Sequence, residues 1–288
     1  MIGKSMANYK HIDVTPISTA IGAEISGVDM SIDVPEPVIS EIRQALLKYL
    51  VIFFRDQDLS DPEHHRSFSK RFGQLFVHPN FNMGQKDPEM VFITRKPGDT
   101  AIVGETWHAD TTMMRAPPMA AILYALEAPT CGGDTLFANQ YLAYESLSKG
   151  MKKMLTGLKA IHNDSKVAGP KVGFNSKRST TVREDDSWQL TESAHPVVRT
   201  HPETKRKGLF INSTYVQHLE GMTIEESEPI LCYLYEHATR PEFSCRFRWR
   251  SGSVAFWDNR CVQHLAVNDI QNAVRRMQRT QLVGDLVQ

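Results

Sequence analysis

No apolar run in the sequence approaches the roughly 20 residues that a membrane-spanning helix needs. Cysteine is scarce: the 4 cysteines form no C-x-x-C pair and are too few for a disulfide framework in a chain of 288 residues. Excess charge is also absent, because 33 lysines and arginines balance 33 aspartates and glutamates, so no net field attracts nucleic acid or an anionic membrane. The opening residues, MIGKSMANYKHIDV, lack the apolar core of a secretory signal. These absences predict a cytoplasmic protein with free thiols and with neither a membrane nor a nucleic-acid partner.

What the sequence does contain is mostly the pattern of short strands. Compact apolar or alternating runs bounded by turn residues predict strands at 50–57, 91–95, 119–128, 134–139, 208–212, 245–250 and 253–258. Helical spacing of apolar residues predicts helices at 35–50, 59–75, 140–156 and 223–238. Because the strands follow each other too closely for repeated βαβ units, we expect one mainly β domain with peripheral helices over residues 1–288, with residues 1–10 as a tail.

One long segment, residues 163–192, fits neither pattern. It is polar and rich in glycine, serine, threonine and charge. Compact domains seldom hold a loop of this length unless it has a function. We therefore predict a mobile lid over an active site.

The stretch GETWHADTTMM, residues 104–114, places His108 two residues before Asp110. In an extended strand these side chains project from the same face, and the neighbouring threonines and tryptophan favour extended structure. A histidine beside a carboxylate suits a borderline divalent metal such as Fe(II), if a third ligand is available. Of the 11 histidines, His264 is the best candidate, because it follows an apolar strand and a turn. The alternative is a hydrogen-bonded His–Asp pair without a metal.

A second polar pattern lies near the end of the chain. Residues 274–284 have the character of a strand in which Arg275 and Arg279 share one face. Two arginines on one face indicate an anionic partner, such as a carboxylate or a sulfonate held at two points. The alternative is a solvated edge strand whose charges resist aggregation.

Taken in order, the motifs WHAD, GGDTLF, WDNRCVQH and RRMQR resemble those of the taurine dioxygenase family. This family of Fe(II)- and 2-oxoglutarate-dependent dioxygenases includes alkylsulfatases and aryloxyalkanoate dioxygenases. The resemblance extends from about residue 14 to residue 285. It implies a double-stranded β-helix, or jelly-roll, core, with Fe(II) as the metal and 2-oxoglutarate and O₂ as cosubstrates. The implied reaction hydroxylates a substrate while 2-oxoglutarate is decarboxylated to succinate and CO₂.

The resemblance also implies roles for individual residues. His108, Asp110 and His264 match the three metal ligands of such enzymes. Thr135 and Arg275 match the residues that hold the distal carboxylate of 2-oxoglutarate.

The positions that match the substrate pocket divide into two groups. Arg279 matches the arginine that binds the sulfonate in taurine-oxidising members, and His78 matches a histidine that assists it, although a turn histidine before proline is the alternative. The other positions depart from the taurine pattern: a tyrosine is replaced by Phe81, an asparagine that contacts the amine by Gly104, and two phenylalanines by Asp164 and Tyr215. We therefore expect a small organic anion, a taurine-like organosulfonate with a different body, while taurine itself stays open.

Several alternatives remain at this point. An alkylsulfatase or an aryloxyalkanoate dioxygenase would cleave an ester or an ether after the same hydroxylation. A non-catalytic protein that binds metal and 2-oxoglutarate would not need the complete residue set, and a zinc hydrolase would not need an arginine for a dicarboxylate. By analogy with related enzymes, we expect a homo-oligomer, either a dimer or a tetramer.

Overall fold

The computed structural model describes residues 9–81 and 87–288. These residues form fifteen strands: β1 Asp13–Pro16, β2 Ala23–Ser26, β3 Val51–Phe54, β4 Val91–Arg95, β5 Ala120–Glu127, β6 Thr135–Asn139, β7 Lys159–Asn163, β8 Glu192–Pro196, β9 Val198–Thr200, β10 Lys207–Leu209, β11 Val216–Leu219, β12 Ser244–Phe247, β13 Val254–Asp258, β14 Val262–Ala266 and β15 Arg275–Leu282. They also form five α-helices: α1 Glu36–Tyr49, α2 Pro62–Lys70, α3 Gln140–Glu145, α4 Lys149–Leu155 and α5 Ile224–Ala238. Short 3₁₀ turns lie at Phe174–Ser176 and Pro241–Phe243. The predicted class, mainly β with peripheral helices, is confirmed.

The largest sheet has seven strands in the order β1-β2-β3-β13-β5-β15-β4. All neighbours are antiparallel except β2 and β3. One face of this sheet packs against α1 and α2. Since alternate residues of a strand point to opposite faces, Ile52 and Phe54 of β3 reach the helices, where they join a core with Ile42 of α1 and Phe68 of α2.

The opposite face of the large sheet carries a second, aromatic core. There Phe53 of β3 meets Phe137 of β6 and stacks on Phe247 of β12, with the two ring centroids 4.0 Å apart. Full burial of one such side chain stabilises the fold by roughly 1.5–3 kcal/mol. Strands β12, β6 and β14 form a three-stranded sheet in that order. This small sheet therefore faces the large one across the aromatic core, and it places β14, which carries His264, at the cavity described below.

A third core lies beside α5. It is covered by the sheet β11-β7-β8 and by the hairpin of β9 and β10. Leu231 and Leu234 of α5 pack there against Val216 and Leu219 of β11.

The structure corrects several boundaries that the pattern predicts. The helix predicted at 140–156 is two helices, because the Ser148 side chain accepts a hydrogen bond from the Met151 amide and starts a new helix, α4. Strands β7, β8 and β11 are not predicted, because their histidines, asparagine and serine obscure the apolar alternation. Of the predicted tail, residues 1–8 lie outside the described residues, while the Lys10 amide donates to Glu41.

The predicted loop 163–192 begins at the last residue of β7 and ends at the first residue of β8, with one 3₁₀ turn between them. Within residues 9–81 and 87–288, no helix combines the length and the apolar character that crossing a bilayer requires.

Candidate active site

Three buried side chains converge between the two sheets: His108, Asp110 and His264. The Asp110 Oδ1 atom lies 3.5 Å from His108 Nε2 and 3.8 Å from His264 Nε2. One potential ligand atom from each of the three lies within 4.8 Å of the others. The backbones of the two histidines form an antiparallel bridge, with N–H to carbonyl distances of 3.0 and 2.7 Å. The fold therefore brings together the three residues that the sequence predicts as metal ligands.

The local structure around Asp110 differs from the extended strand that the sequence predicts. His108 pairs only through the isolated bridge, and the chain then enters a turn in which Thr111 has φ +55°. Asn259 holds this turn: its Oδ1 accepts from the Asp110 amide at 2.6 Å, and its Nδ2 donates to the Asp110 and Pro118 carbonyls at 3.0 and 2.9 Å. The two side chains share a site because the turn is clamped from β13, which Asn259 follows, and not because of strand alternation.

Hydrogen bonds orient His108 and Asp110, whereas the buried Nδ1 of His264 has no partner among the described residues. His108 Nδ1 lies 2.7 Å from the Thr106 carbonyl, which can only accept, so that nitrogen carries the proton and Nε2 presents its lone pair. Gln281 Nε2 donates to Asp110 Oδ2 at 3.0 Å, and Arg279 Nη1 lies 3.2 Å from Oδ1. Two imidazoles and one carboxylate are a donor set that Fe(II) accepts on one face, with further positions open.

The electrostatics of the site favour the metal-binding protonation states. Burial alone would raise the pKa of the Asp110 carboxyl, but Arg279 and the two histidines lower it well below its ordinary value. Burial, reinforced by His108, lowers the pKa of His264 well below its ordinary value, so its imidazole is neutral. An ionised carboxylate and neutral imidazoles are the forms that bind a metal.

A small cavity of about 30 Å³ is lined by His108 and His264 and by both predicted cosubstrate residues, Thr135 and Arg275. The Thr135 hydroxyl accepts from Trp249 Nε1 at 2.9 Å, and the Arg275 guanidinium carbon lies 5.7 Å from the centre of a Trp249 ring. Among the described residues, the Arg275 guanidinium makes no ion pair or hydrogen bond, and its buried Nε has no partner. Burial lowers the pKa of Arg275 to about 10. The Asp134 carboxylate acts on this pKa in the opposite direction but forms no ion pair with Arg275. A buried cation without an ion pair is costly, and a carboxylate entering this cavity would offset that cost.

A larger cavity of about 200 Å³ is lined by His108 and Asp110. Its lining includes five of the residues predicted to contact substrate, namely His78, Phe81, Gly104, Tyr215 and Arg279. The His78 and Phe81 rings meet edge to face, 4.6 Å apart. Burial is the main reason that the pKa of His78 falls to about 3, with Arg279 adding to the effect, so the ring is neutral.

Gly104 has a steric role that the sequence does not reveal. Its φ of +81° lies in the left-handed region that favours glycine, and a Cβ built on it would lie 3.0 Å from His108 Cε1. A side chain at this position would therefore press on a candidate metal ligand. Backbone conformation and the nearby histidine therefore both favour glycine at this position.

Asp164 is the one predicted substrate contact that the structure does not bring to the cavity. Its side chain is fully buried, and its carboxylate accepts from Asn80 Nδ2 at 2.9 Å, Trp188 Nε1 at 3.2 Å and the Thr191 amide at 3.1 Å. Three protein donors thus surround the carboxylate. Asp164 ties the 163–192 segment to Asn80, and Asn80 does line the cavity.

Two residues that support the site are not predicted from the sequence. Asn259 lies in the WDNR motif, but its clamp on Asp110 depends on a tertiary contact. Gln281 could be found by extending the arginine face of β15 by two residues, since alternation places it on the same side as Arg279.

A second buried group could also hold a metal by distance alone. Ligand atoms of His201, Asp258 and Cys261 lie within 4.8 Å of one another. However, the Asp258 carboxylate is already held by Arg260 at 2.8 and 2.7 Å and by His201 Nε2 at 3.0 Å. The group is therefore satisfied as an ion-pair network.

Comparison with known proteins agrees with this geometry. The family model described as taurine catabolism dioxygenase TauD, TfdA family matches residues 13–281. An alpha-ketoglutarate-dependent sulfate ester dioxygenase from Pseudomonas putida is 33% identical over 290 residues, which cover 99% of this chain and 95% of that protein. An alkylsulfatase from Acinetobacter baylyi is 33% identical over 279 residues, which cover 96% of this chain and 86% of that protein. The crystal structure of a taurine dioxygenase from Burkholderia xenovorans superposes with a TM-score of 0.80 at 37% identity, covering 96% of this chain and 91% of that one.

Enzymes of this family use Fe(II), 2-oxoglutarate and O₂, and the donor set described above fits that metal. The predicted class of enzyme, a 2-oxoglutarate-dependent non-haem iron dioxygenase, is thereby confirmed. From its match over residues 13–281 and its relatives of nearly equal length, the chain belongs to the taurine catabolism dioxygenase TauD, TfdA family.

Proposed function

We propose that this enzyme hydroxylates a small organosulfur anion, either an organosulfonate or a sulfate ester. The observation that carries this proposal is Arg279, a buried arginine that lines the substrate-sized cavity and also contacts Asp110. An anion bound to its guanidinium would lie beside the metal-binding residues. The sulfate ester alternative is kept because two of the relatives described above are a sulfate ester dioxygenase and an alkylsulfatase. An aryloxyalkanoate substrate, cleaved at its ether, is the remaining alternative within this chemistry.

In this proposal His108, Asp110 and His264 hold the metal, while Arg275 and Thr135 hold the distal carboxylate of 2-oxoglutarate. Bound Fe(II) would allow O₂ to hydroxylate a C–H bond of the substrate while 2-oxoglutarate is decarboxylated to succinate and CO₂. The chain supplies orientation. Because the small cavity and the large cavity share His108 and Arg279 in their linings, a cosubstrate in one would lie next to a substrate in the other.

Arg279 and His78 form the anion-binding end in this proposal. The Nε atom of Arg279 is buried and has no partner among the described residues, so it is free to donate to a sulfonate or sulfate oxygen. His78 is neutral and would add a hydrogen bond without adding charge. Gly104 and Phe81 offer no polar side-chain atom to an ammonium group, which supports a substrate whose body differs from that of taurine.

The wider organisation is part of the same proposal. We infer a jelly-roll core, in which the large sheet and the sheet β12-β6-β14 enclose the site, within one domain over residues 1–288. Residues Phe174, Arg178 and Val182 line the larger cavity, which supports a lid role for 163–192. Four free cysteines fit a reducing cytoplasm, and a dimer or tetramer is proposed by analogy with the family.

The proposal is tested by loading the metal-free protein with Fe(II) and 2-oxoglutarate without O₂. We expect the weak visible charge-transfer band of the chelated cosubstrate in the wild type and its loss in His108→Ala. O₂ is then admitted with sulfonates, alkyl sulfates and aryloxyacids in separate reactions. Release of succinate with sulfite would identify a sulfonate dioxygenase. Release of sulfate would identify an alkylsulfatase, and release of a phenol would identify an aryloxyalkanoate dioxygenase. A band without succinate from any anion would favour a non-catalytic binding protein.

A further inference from the structure

Beyond Arg279, the larger cavity is lined by a second arginine, Arg178. Arg178 lies in the 163–192 segment and lines this cavity, whereas Arg279 lines both cavities. The guanidinium carbon of Arg178 lies 4.5 Å from the centre of the Phe174 ring, and Phe174 lines the same cavity. One flank of the guanidinium is thus covered by an aromatic face, which leaves its N–H edge for another partner.

The backbone on both sides of Arg178 is tied down. The Lys177 carbonyl accepts from the amides of Thr100 and Ala101 at 2.9 and 3.2 Å. On the other side, the Ser179 amide and hydroxyl bind the Asp99 carboxylate at 3.0 and 3.1 Å. Both neighbours are therefore fixed to residues 99–101. Such anchoring holds the intervening side chain in place without using any of its own donors.

The Arg178 side chain itself has no partner that matches its charge. Within the described residues, which contain every aspartate and glutamate of the chain, none forms an ion pair with it, and its buried Nε has no hydrogen-bond acceptor. Glu105, which lines the same cavity, and Glu184 are near enough to raise its pKa, but neither forms an ion pair with it. Glu105 accepts from the Ile102 amide and from Asn268, and Glu184 accepts from the Asn175 amide. Burial lowers the pKa of Arg178, although arginine stays charged at neutral pH.

A second cation of the same segment also faces the larger cavity without an ion pair in the described part of the chain. Lys166 also lines the larger cavity, and its Nζ donates to the Ser213 and Val216 carbonyls at 3.2 and 2.8 Å without meeting a carboxylate among the described residues. The two carbonyls orient the ammonium but do not neutralise it. The 163–192 segment thus contributes two positive charges to a cavity that already holds Arg279, beside the carboxylates of Glu105 and Asp110 in the same lining.

We propose that Arg178, aided by Lys166, forms a second anion-binding subsite in the substrate cavity, so that the preferred substrate is an organic dianion. One anionic group, a sulfonate or sulfate ester, would bind Arg279 beside the metal-binding residues. The second group, a carboxylate or another oxyanion at the far end of the carbon body, would bind the free N–H edge of Arg178. This inference rests on the proposed function and deepens it by naming the substrate class.

The experiment compares matched probes that differ only in the second charge. Straight-chain alkanesulfonates are paired with ω-carboxyalkanesulfonates of equal chain length, and dissociation constants are measured by calorimetry on the Fe(II)- and 2-oxoglutarate-loaded protein without O₂. We expect the wild type to bind the best-fitting dianion about tenfold to hundredfold more tightly than its monoanion partner, as one charge-assisted pair provides. Arg178→Gln should remove this preference while changing the monoanion constant less than about threefold. Arg178→Lys should keep part of it.

The control is Lys177→Gln, which removes an exposed charge at the neighbouring position outside the cavity lining. It should leave the preference for the dianion unchanged. A wild type that binds both probes equally, or an Arg178→Gln protein that loses both together with its thermal stability, would overturn the subsite and leave a structural role for the arginine. Succinate release is measured in parallel. Release without a dianion preference overturns only the subsite, whereas a preference without release from any anion overturns only the proposed reaction, and absence of both overturns both.

Discussion

Gln281 Nε2 donates to Asp110 Oδ2 at 3.0 Å and so turns the other carboxylate oxygen, Oδ1, toward the imidazoles of His108 and His264. The carboxylate has two oxygens, and only one is presented to the candidate metal position. A residue outside the predicted ligand set thus decides which oxygen is available. Several expectations depend on this and on similar supporting contacts.

Replacing Gln281 should weaken metal binding without unfolding the protein. In Gln281→Ala the carboxylate of Asp110 loses one donor and can rotate, and outer partners of this kind typically change metal affinity by about tenfold to a hundredfold. Fe(II) or Mn(II) titration followed by calorimetry measures the effect. Arg276→Gln, an exposed change on the same strand, is the matched control. Equal metal affinity in Gln281→Ala and wild type would contradict this role.

Replacing Arg275 and replacing Arg279 should weaken the binding of different ligands. Arg275→Gln should raise the dissociation constant of 2-oxoglutarate by about a hundredfold, because a charge-assisted pair to its carboxylate is lost, and should leave substrate binding intact. Arg279→Gln should do the reverse, and each variant serves as the control for the other. If both variants affected only 2-oxoglutarate, the division between cosubstrate and substrate ends would be wrong.

Arg275 also allows a test in the absence of any ligand. Its guanidinium is buried without an ion pair among the described residues, so Arg275→Met should leave the free energy of unfolding unchanged or raise it. Urea denaturation of the metal-free protein measures this, and adding 2-oxoglutarate and metal should stabilise the wild type much more than the variant. A large loss of stability in ligand-free Arg275→Met would show that the arginine is structural.

Gly104 and Gly98 form a matched pair for testing crowding at the metal site. Both have positive φ, of +81° and +94°, but an added Cβ would lie 3.0 Å from His108 at position 104 and would meet nothing within 4 Å at position 98. Both alanine variants should therefore lose about 1 kcal/mol of stability from backbone strain. Only Gly104→Ala should also lose metal affinity, as read by the charge-transfer band. Similar bands in both variants would exclude the steric role of Gly104.

The buried His65 should make stability depend on pH. Burial lowers its pKa from 6.5 to about 3, so the unfolded chain binds a proton that the folded protein excludes between these two values. The free energy of unfolding therefore has its full value above pH 6.5. It falls as the pH drops toward 3, by about 1.4 kcal/mol per pH unit for one proton. Denaturant titrations of the metal-free protein across this window should give a shallower pH slope for His65→Gln. An unchanged slope would contradict the assignment.

How much of this could be predicted from the sequence differs from one residue to the next. His108, Asp110 and His264 are predictable as a set through the ordered motifs WHAD and WDNRCVQH, because the His–Asp pair alone leaves a hydrogen-bonded pair without a metal as an alternative. Thr135 and Arg275 follow from the same ordered motifs. The motifs identify these residues whatever the local secondary structure is. At Asp110, for example, the chain forms a turn and not the expected strand.

The rest could not be predicted because it depends on contacts between distant segments. The clamp of Asn259 on Asp110 requires β13 to end beside a turn that lies far away in the chain. Asp164 is misleading for the same reason: a carboxylate near an aligned pocket position suggests a ligand, but the fold surrounds it with protein donors. The pairing of Arg178 with the Phe174 face likewise appears only when residues 99–101 anchor the segment.

The backbone bridge between His108 and His264 has a consequence for the order in which the protein is made. A nascent chain that ends at β13 already contains the His–Asp pair but lacks the second imidazole and the strand that aligns the first one. Tight metal capture therefore has to wait until β14 has been synthesised and paired. By that stage the sheet β12-β6-β14 is complete, whereas β15, which carries the Arg279 and Gln281 contacts to Asp110, has still to be added. The full set of contacts around the three residues is therefore assembled only when the last strand is in place.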